Sequence, residues 1–130
     1  MSSLSPIDDP LAGPFFEAAS EGRLVVQRCT TCAALRWPPL AGCPECRGRD
    51  AGWVDVAPTG TVWSYVVYHR AFQPELAGQI PYIVAMIELD DGPYMIGRLI
   101  HAEKSPAVGD RAVAEFVDVE GIPSVHWRIA

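Results

Sequence analysis

The chain has 130 residues, a formal net charge of −6 at pH 7 and an apolar content of 49%. This length suits one compact domain or a small module joined to one, and it excludes a large multidomain enzyme. The charge opposes nucleic-acid binding, which relies on lysines and arginines that displace counterions from phosphates, and no run of about 20 apolar residues predicts a membrane span.

The N-terminal segment is not expected to be a targeting signal. The stretch MSSLSPIDDPLAGPFFEAA lacks the basic region and the uninterrupted apolar run of a secretory signal, and Asp8 and Asp9 oppose a transit peptide. We therefore expect a cytoplasmic protein. Residues 1–13, rich in Ser, Pro, Asp and Gly, predict an arm without regular structure.

A short helix is predicted after this arm. Pro14 suits the first helical position and Gly22 suits the stop, so residues 1–22 form the first predicted unit, an arm with a helix. The apolar side of the helix carries Phe15 and Phe16. Because a helix of about two turns is marginal alone, this aromatic pair either packs on the rest of the chain or docks on a partner.

The second predicted unit, residues 23–50, contains every cysteine of the chain. RLVVQR is a strand candidate that leads to the first cysteine. The unit contains five arginines and only two acidic residues. The cysteines form two Cys-x-x-Cys pairs separated by ten residues: Cys29, Cys32, Cys43 and Cys46. Two such knuckles supply the tetrahedral four-sulfur set that zinc prefers in structural sites, which predicts a rubredoxin-like zinc ribbon.

Other uses of these cysteines fit the pattern less well. Lasting disulfides are disfavoured in a reducing cytosol, and a thioredoxin-like redox pair needs an α/β unit that is not predicted here. Iron in the same four-sulfur site stays open, since sequence does not select the metal. A ribbon this short buries too little apolar surface to fold by itself, so we expect the metal to be structural, with no coordination position left for a substrate.

The third predicted unit, residues 51–130, shows strand patterns almost throughout. Alternating apolar and polar positions, separated by turn residues, predict five or six short strands. The candidates are GWVDVA, TVWSYVVYHR, YIVAMIELDD, YMIGRLIH, RAVAEFVDVE and IPSVHWRI. Without crossover helices these strands predict a small antiparallel OB-fold barrel, so the expected fold class is mainly β. The loop at 71–81 is long for a hairpin and is a candidate interaction loop.

The sequence shows no clear catalytic constellation. With the cysteines assigned to a metal, no thiol is left as a nucleophile, and the motifs of hydrolases, metalloproteases and phosphate loops are missing. His69 and Arg70, at the start of the long loop, are the one suggestive pair, although a solvated strand end explains them as well. We therefore expect this chain to catalyse nothing alone.

The order of these motifs is similar to that of a known family. Around the two knuckles the chain carries a phenylalanine-rich helix, EGRLVVQRC (21–29), RWPP (36–39), GTVWSY (60–65), PYIVA (81–85) and ELD (88–90). From about Phe15 to Arg128 the chain resembles the acyl-CoA-associated proteins that join a zinc ribbon to an OB fold, long catalogued as a domain of unknown function.

This resemblance implies a non-catalytic subunit. Members of the family are partners of thiolase-like enzymes: thiolase and hydroxymethylglutaryl-CoA synthase assemblies, acyltransferases, and thiolase-type aldolases that shorten sterol side chains. Some pair with hot-dog-fold hydratases. The ribbon and barrel are then expected to stabilise the catalytic subunit and to help form its acyl-CoA entrance. Two positions depart from the family: Ala33 replaces a common glycine after the first knuckle, and Leu40 replaces a basic residue.

The arginine-rich ribbon supplies candidates for binding the phosphates of CoA, because a guanidinium group suits phosphate oxygens. The same arginines would equally suit carboxylates of a partner. The residues predicted to contact CoA or a partner are Arg36, Trp37, Arg47, Arg49, His69, Arg70 and Phe72.

Two other classes of function are carried as alternatives. A nucleic-acid-binding module would use Trp63, Tyr65 and Tyr68 to stack bases, but the third unit has ten acidic residues against five cations. A free-standing enzyme is opposed by the missing nucleophile.

Overall fold

The protein is described by a computed structural model that covers residues 8–71, 74, 77–102 and 105–130. Phe72, predicted to contact CoA or a partner, lies outside the described residues, as does part of the predicted interaction loop. The described residues contain no helix with the length and apolarity needed to cross a lipid bilayer.

The predicted helix is present as α1 (Gly13–Ser20), with Pro14 in its first turn. The helix ends at Ser20, and Gly22, the predicted stop, lies just after its cap with a φ of 74° in the left-handed region. The N–H groups of Gly22 and Arg23 donate to the carbonyl groups of Ala19 and Ala18, which is the hydrogen-bond pattern of a Schellman motif. This turn sends the chain directly into the first strand.

The ribbon is a three-stranded antiparallel sheet in the order β2-β1-β3. Its strands are β1 (Val25–Cys29), β2 (Leu35–Arg36) and β3 (Ala51–Asp55). β3 pairs with β1 over its full length, from Val25 opposite Asp55 to Cys29 opposite Ala51. By hydrogen bonding, residues 51–55 therefore belong with the ribbon, whereas the pattern GWVDVA predicts a barrel strand; the unit boundary after residue 50 stays a prediction.

The remaining five strands close into a barrel in the order β4-β5-β6-β8-β7. They are β4 (Thr59–Tyr68), β5 (Tyr82–Leu89), β6 (Tyr94–Leu99), β7 (Arg111–Val119) and β8 (Ile122–Ile129). β4 pairs with both β5 and β7, and a register shift between Val62 and Ser64 marks a bulge that bends it. The barrel is not purely antiparallel, because β6 and β8 meet in parallel at Leu99 and Trp127. The predicted OB-like fold is confirmed.

One apolar core runs through the helix, the ribbon and the barrel. Helix residues Phe15 and Ala18 belong to the same buried cluster as Val26 of the ribbon and Trp127 of the barrel. Trp127 is fully buried, and a Cβ added at Gly97 would lie 2.5 Å from its ring. The indole therefore fits only because residue 97 has no side chain. The shared core places the ribbon and the barrel in contact.

Candidate functional site

The two knuckles bring the four cysteines together at the tip of the ribbon. All four thiols are free, and their sulfur atoms lie within 4.8 Å of one another. The Sγ atoms of Cys29 and Cys46 are 3.5 Å apart, and those of Cys32 and Cys43 are 3.6 Å apart. Tetrahedral zinc with bonds of about 2.3 Å requires sulfur separations of about 3.8 Å, so this donor set fits zinc.

The backbone of the two knuckles is arranged in the same way. The N–H of Ala33 donates to the carbonyl of Cys29, and the N–H of Arg47 donates to the carbonyl of Cys43. Ala33 and Arg47, each directly after the second cysteine of its knuckle, both have φ of 65°. A glycine would suit position 33, since this position is left-handed and alanine occupies it at a cost.

The four sulfurs are close enough to change one another's pKa values. The backbone N–H of Cys32 is the main cause that lowers the pKa of Cys29, to about 6. The backbone N–H of Gly48 lowers the pKa of Cys46, but the neighbouring sulfurs, that of Cys29 first, raise it to about 12. Four thiolates in contact repel one another, and a divalent ion at their centre removes this repulsion.

A buried polar network, which the sequence analysis missed, supports the segment between the knuckles. Gln27 and Arg36 are both buried, at 4% and 7% exposure. The side-chain oxygen of Gln27 accepts 2.8 Å hydrogen bonds from Nε of Arg36 and from the backbone N–H of Leu40. Nη2 of Arg36 donates to the carbonyl of Leu40. A single amide inside the apolar strand VVQRC was the available signal.

This network corrects the prediction for Arg36. We predicted that its guanidinium meets CoA or a partner, but the group is buried and two of its three nitrogens are bound within the ribbon. Nη1 is buried without a hydrogen-bond partner among the described residues. Arg36 therefore holds the ribbon together in this structure and does not present a charge to a ligand.

The aromatic residues of the helix and the ribbon pack on each other. The ring centroids of Phe15 and Trp37 are 4.2 Å apart, and Phe15 is 5% exposed. The prediction that Phe15 docks on a partner is therefore wrong, because its ring lies in the core of this chain. Phe16 and Trp37 are half-buried against the same core, and their contact with a partner stays a prediction.

The other predicted contact residues lie at the surface in two separate places. Arg47 and Arg49 are exposed and line a shallow hollow beside the second knuckle. His69 and Arg70 are exposed at the end of β4. Unlike Arg36, these residues are exposed, and the roles of these four residues stay predictions.

The barrel presents an apolar surface that the sequence analysis did not identify as a unit. We call it the apolar outer face, formed by outward-pointing residues of β4, β5 and β6: Trp63, Val66, Val84, Met86, Tyr94 and Ile96. Trp63 and Ile96 are 54% and 61% exposed, and the rings of Trp63 and Tyr94 meet edge to face at 5.4 Å. Tyr65, grouped with Trp63 as a base-stacking candidate, instead packs against the core.

Comparison with known proteins agrees with this architecture. Residues 16–51 match the ChsH2 rubredoxin-like zinc ribbon domain, and residues 53–117 match the ChsH2 C-terminal OB-fold domain. A solved structure described as the Ltp2-ChsH2(DUF35) aldolase superposes with a TM-score of 0.82 at 34% identity, over 93% of this chain and 95% of that chain.

Two curated relatives are longer than this chain. A probable enoyl-CoA hydratase alpha subunit of Thermomonospora curvata is 44% identical over 66% of this chain and 26% of its own length. A DUF35 domain-containing scaffold protein of Methanocaldococcus jannaschii is 31% identical over 59% of this chain and 55% of its own length. The chain thus spans between about a quarter and about a half of these relatives.

The two matches meet within β3 and together run from α1 to β7. The zinc-ribbon match contains the four cysteines and the OB-fold match contains most of the barrel. The chain therefore belongs to the ChsH2 family of DUF35 proteins, which join a rubredoxin-like zinc ribbon to an OB-fold domain.

Proposed function

We propose that this chain is a non-catalytic accessory subunit that docks on a thiolase-type enzyme acting on acyl-CoA thioesters. The observation that carries the proposal is the apolar outer face of the barrel. Trp63, Val66 and Ile96 are each more than half exposed there. Large side chains clustered in this way mark protein interaction sites more often than free surface.

The relatives support the kind of partner. The structural neighbour carries the words Ltp2-ChsH2(DUF35) aldolase in its description, and the archaeal relative is named a scaffold protein. The chemistry of this chain also favours an accessory role. The four thiols are grouped as metal ligands, and among the described residues the histidine side chains make no hydrogen bond to a hydroxyl or a thiol.

In this proposal the zinc is structural and the barrel does the binding. The ribbon and α1 share the core with the barrel. By ordering the ribbon, the metal therefore also supports the packing of the helix against the barrel. The barrel then presents the apolar outer face to the catalytic subunit and, beside it, part of the entrance for the acyl-CoA.

Co-purification tests the proposal. The chain is co-expressed with thiolase-like enzymes of the same organism, as wild type and as Trp63→Ser and Ile96→Glu variants. We expect a stable complex with one of these enzymes and at least a tenfold loss of affinity in each variant, since central apolar contacts dominate interface energies. Val108→Glu is the matched control, because Val108 is 66% exposed but lies outside the face.

A free monomer that leaves the activity of every such enzyme unchanged would contradict the proposal. A hydratase partner is the second candidate, because the relative from Thermomonospora curvata is named a hydratase subunit. Including a hot-dog-fold hydratase in the same co-expression decides between the two partners. A complex with the hydratase alone, lost in the Trp63→Ser variant, would assign the face to that enzyme.

A further inference from the structure

Arg36 is the only buried charged side chain among the described residues. Two of its nitrogens donate to neutral acceptors, the side-chain amide of Gln27 and the carbonyl of Leu40. Nη1 has no hydrogen-bond partner among the described residues, and no carboxylate of these residues forms an ion pair with Arg36. A guanidinium group is always charged in proteins, so a positive charge is buried here without a counter-charge.

The other four arginines of the ribbon do not need a counter-charge inside the chain. Arg23 is exposed and forms ion pairs with Glu21 and Asp55. The remaining three are exposed, so that water screens their charges: Arg28, Arg47 and Arg49. The question of what balances a buried charge therefore arises for Arg36 alone.

Arg36 lies on the face of the ribbon that carries the first metal ligand. Gln27 is opposite Arg36 in the ladder of β1 and β2, and Cys29 comes two residues after Gln27. Residues two apart in a strand point to the same face. Gln27 and Cys29 are both buried, whereas Arg28 between them is exposed. The side chain of Cys29 therefore points to the same interior as the network of Gln27 and Arg36.

The two knuckles also share a cleft with Arg36. This cleft, of about 370 Å³, is lined by Arg36 together with Cys32 of the first knuckle and Cys43 of the second. Glu45 lines it as well, but it is exposed and forms no ion pair with Arg36. The cysteines of the metal site are therefore the negative groups available to balance the buried guanidinium.

We propose that Arg36 is the counter-charge of the occupied metal site. A divalent ion balances only half of the charge of four thiolates, so the occupied site keeps a net negative charge. Groups outside the ligand set tune the affinity of a metal site, and a buried cation is screened less than an exposed one. Arg36 thus stabilises the bound metal, and the occupied site in turn stabilises the buried guanidinium.

This role also connects the metal to the segment between the knuckles. The guanidinium that faces the metal site donates to the carbonyl of Leu40, and Gln27 binds both Arg36 and the N–H of Leu40. Metal binding therefore favours the conformation in which this segment is ordered. The inference does not depend on which enzyme the chain binds.

Zinc affinity of the full chain, measured by competition with a chelator, tests the effect of the charge. Arg36→Met removes the charge at a similar side-chain length and should weaken zinc binding at least tenfold. Arg36→Lys keeps the charge but loses the guanidinium fork, and it should bind zinc more tightly than Arg36→Met. Arg28→Met is the matched control, because Arg28 is exposed on the opposite face of β1, and it should bind zinc as wild type.

The iron-substituted protein gives a readout that a purely structural role would not change. Reduction of ferric to ferrous iron makes a four-thiolate site more negative by one charge, so a nearby cation favours the reduced state. The reduction potential, measured by voltammetry, should therefore be lower in Arg36→Met than in wild type. It should stay close to the wild-type value in Arg36→Lys and in Arg28→Met.

Two results overturn the inference. A wild-type reduction potential in Arg36→Met would show that the guanidinium charge does not act on the metal. Equal losses of zinc affinity in Arg36→Lys and Arg36→Met would leave Arg36 with a hydrogen-bonding role only. If Arg36→Met does not fold, Gln27→Leu with Arg36→Met takes its place in both measurements, because removing donor and acceptor together leaves fewer buried polar groups unpaired.

Discussion

The ribbon and the barrel differ in what holds their strands together. The ribbon sheet contains one strand of only two residues, and its segment between the knuckles is held by Gln27, Arg36 and four sulfurs. The barrel is closed by hydrogen bonds around five strands and filled by apolar side chains, including Ile87, Met95 and Trp127. A short segment can thus be ordered by a metal and polar bonds, whereas the barrel depends on burial of apolar surface.

The ribbon and the barrel also differ in the surfaces that they present. The ribbon keeps Gln27 and Arg36 in its interior and gathers its four cysteines at one tip, so its conformation depends on these groups. The barrel is stabilised by its closed strand ladder and by the core that it shares with α1 and the ribbon, so its outer surface is available for the apolar outer face.

Metal removal should produce the largest difference in stability between the ribbon and the barrel. Structural zinc contributes an apparent 10–16 kcal/mol, roughly, in small zinc-binding peptides. Chelation, or Cys43→Ser, should therefore abolish hydrogen-exchange protection in β1, β2 and β3, while amides of the barrel stay protected. Lower pH should weaken metal binding, because protons compete for the thiolates. Simultaneous loss of protection in both regions would show that the barrel, too, depends on the metal.

Replacing Trp127 should destabilise the barrel. Trp127 is fully buried against Gly97, so Trp127→Ala removes its packing and leaves a cavity, which costs about 3–5 kcal/mol. Denaturant unfolding of the zinc-loaded protein measures the loss. Trp63→Ala is the control with the same chemical change at an exposed position and should cost much less. Equal costs for the two variants would contradict the assignment of core and surface.

Gln27→Leu should destabilise the ribbon by about 2–3 kcal/mol, because the buried guanidinium of Arg36 and the N–H of Leu40 lose their acceptor. Arg28→Leu, at the exposed neighbouring position, is the control. Hydrogen exchange of the ribbon amides, with zinc in excess, measures the effect. A stability equal to wild type would mean that the metal alone orders the segment between the knuckles.

A stabilising change is expected at the first knuckle. Ala33 has φ of 65°, so Ala33→Gly relieves a left-handed conformation that alanine disfavours, and the more flexible unfolded chain offsets part of the gain. We expect a net gain of about 0.5–1 kcal/mol. Zinc affinity, measured by competition with a chelator, should rise by a few-fold. A decrease would indicate that the alanine methyl group makes a contact that favours the folded ribbon.

The smallest effect is expected at an ion pair on the barrel surface. Both nitrogens of the Arg111 fork donate to Asp90, and Thr59 also donates to it. Arg111 and then Thr59 lower the pKa of Asp90. A lowered folded-state pKa means that the pair stabilises the fold above about pH 4 and that this contribution is lost as the pH falls.

Thermal unfolding between pH 2 and pH 7 tests whether the contribution of this pair to stability is lost as the pH falls. The Asp90→Asn variant should lose less stability than wild type on acidification, and Arg111→Gln should behave in the same way, since either change breaks the pair. The effect is small because both groups are exposed to solvent. An identical pH dependence in all three proteins would show that the pair is fully screened.

Elements set by neighbouring residues could be predicted from the sequence. The knuckle spacing, the stop at Gly22 and the strands of the barrel all follow from residues a few positions apart, and each is present in the structure. The resemblance indicated only that Ala33 affects the turn of the first knuckle, and the structure shows its left-handed φ. The ion pair of Arg111 with Asp90 could not be predicted, since it joins strands that are distant in sequence.

The sequence by itself determined the metal ligands, the mainly β class and the order of ribbon and barrel, because spacing and alternation are local properties. Only the tertiary structure decided which arginines are free. It buried Arg36 against Gln27, and it brought Arg98 of β6 beside His126 of β8. The physical reason is that burial and charge pairing depend on which strands become neighbours when the barrel closes, and no local pattern in the chain specifies that.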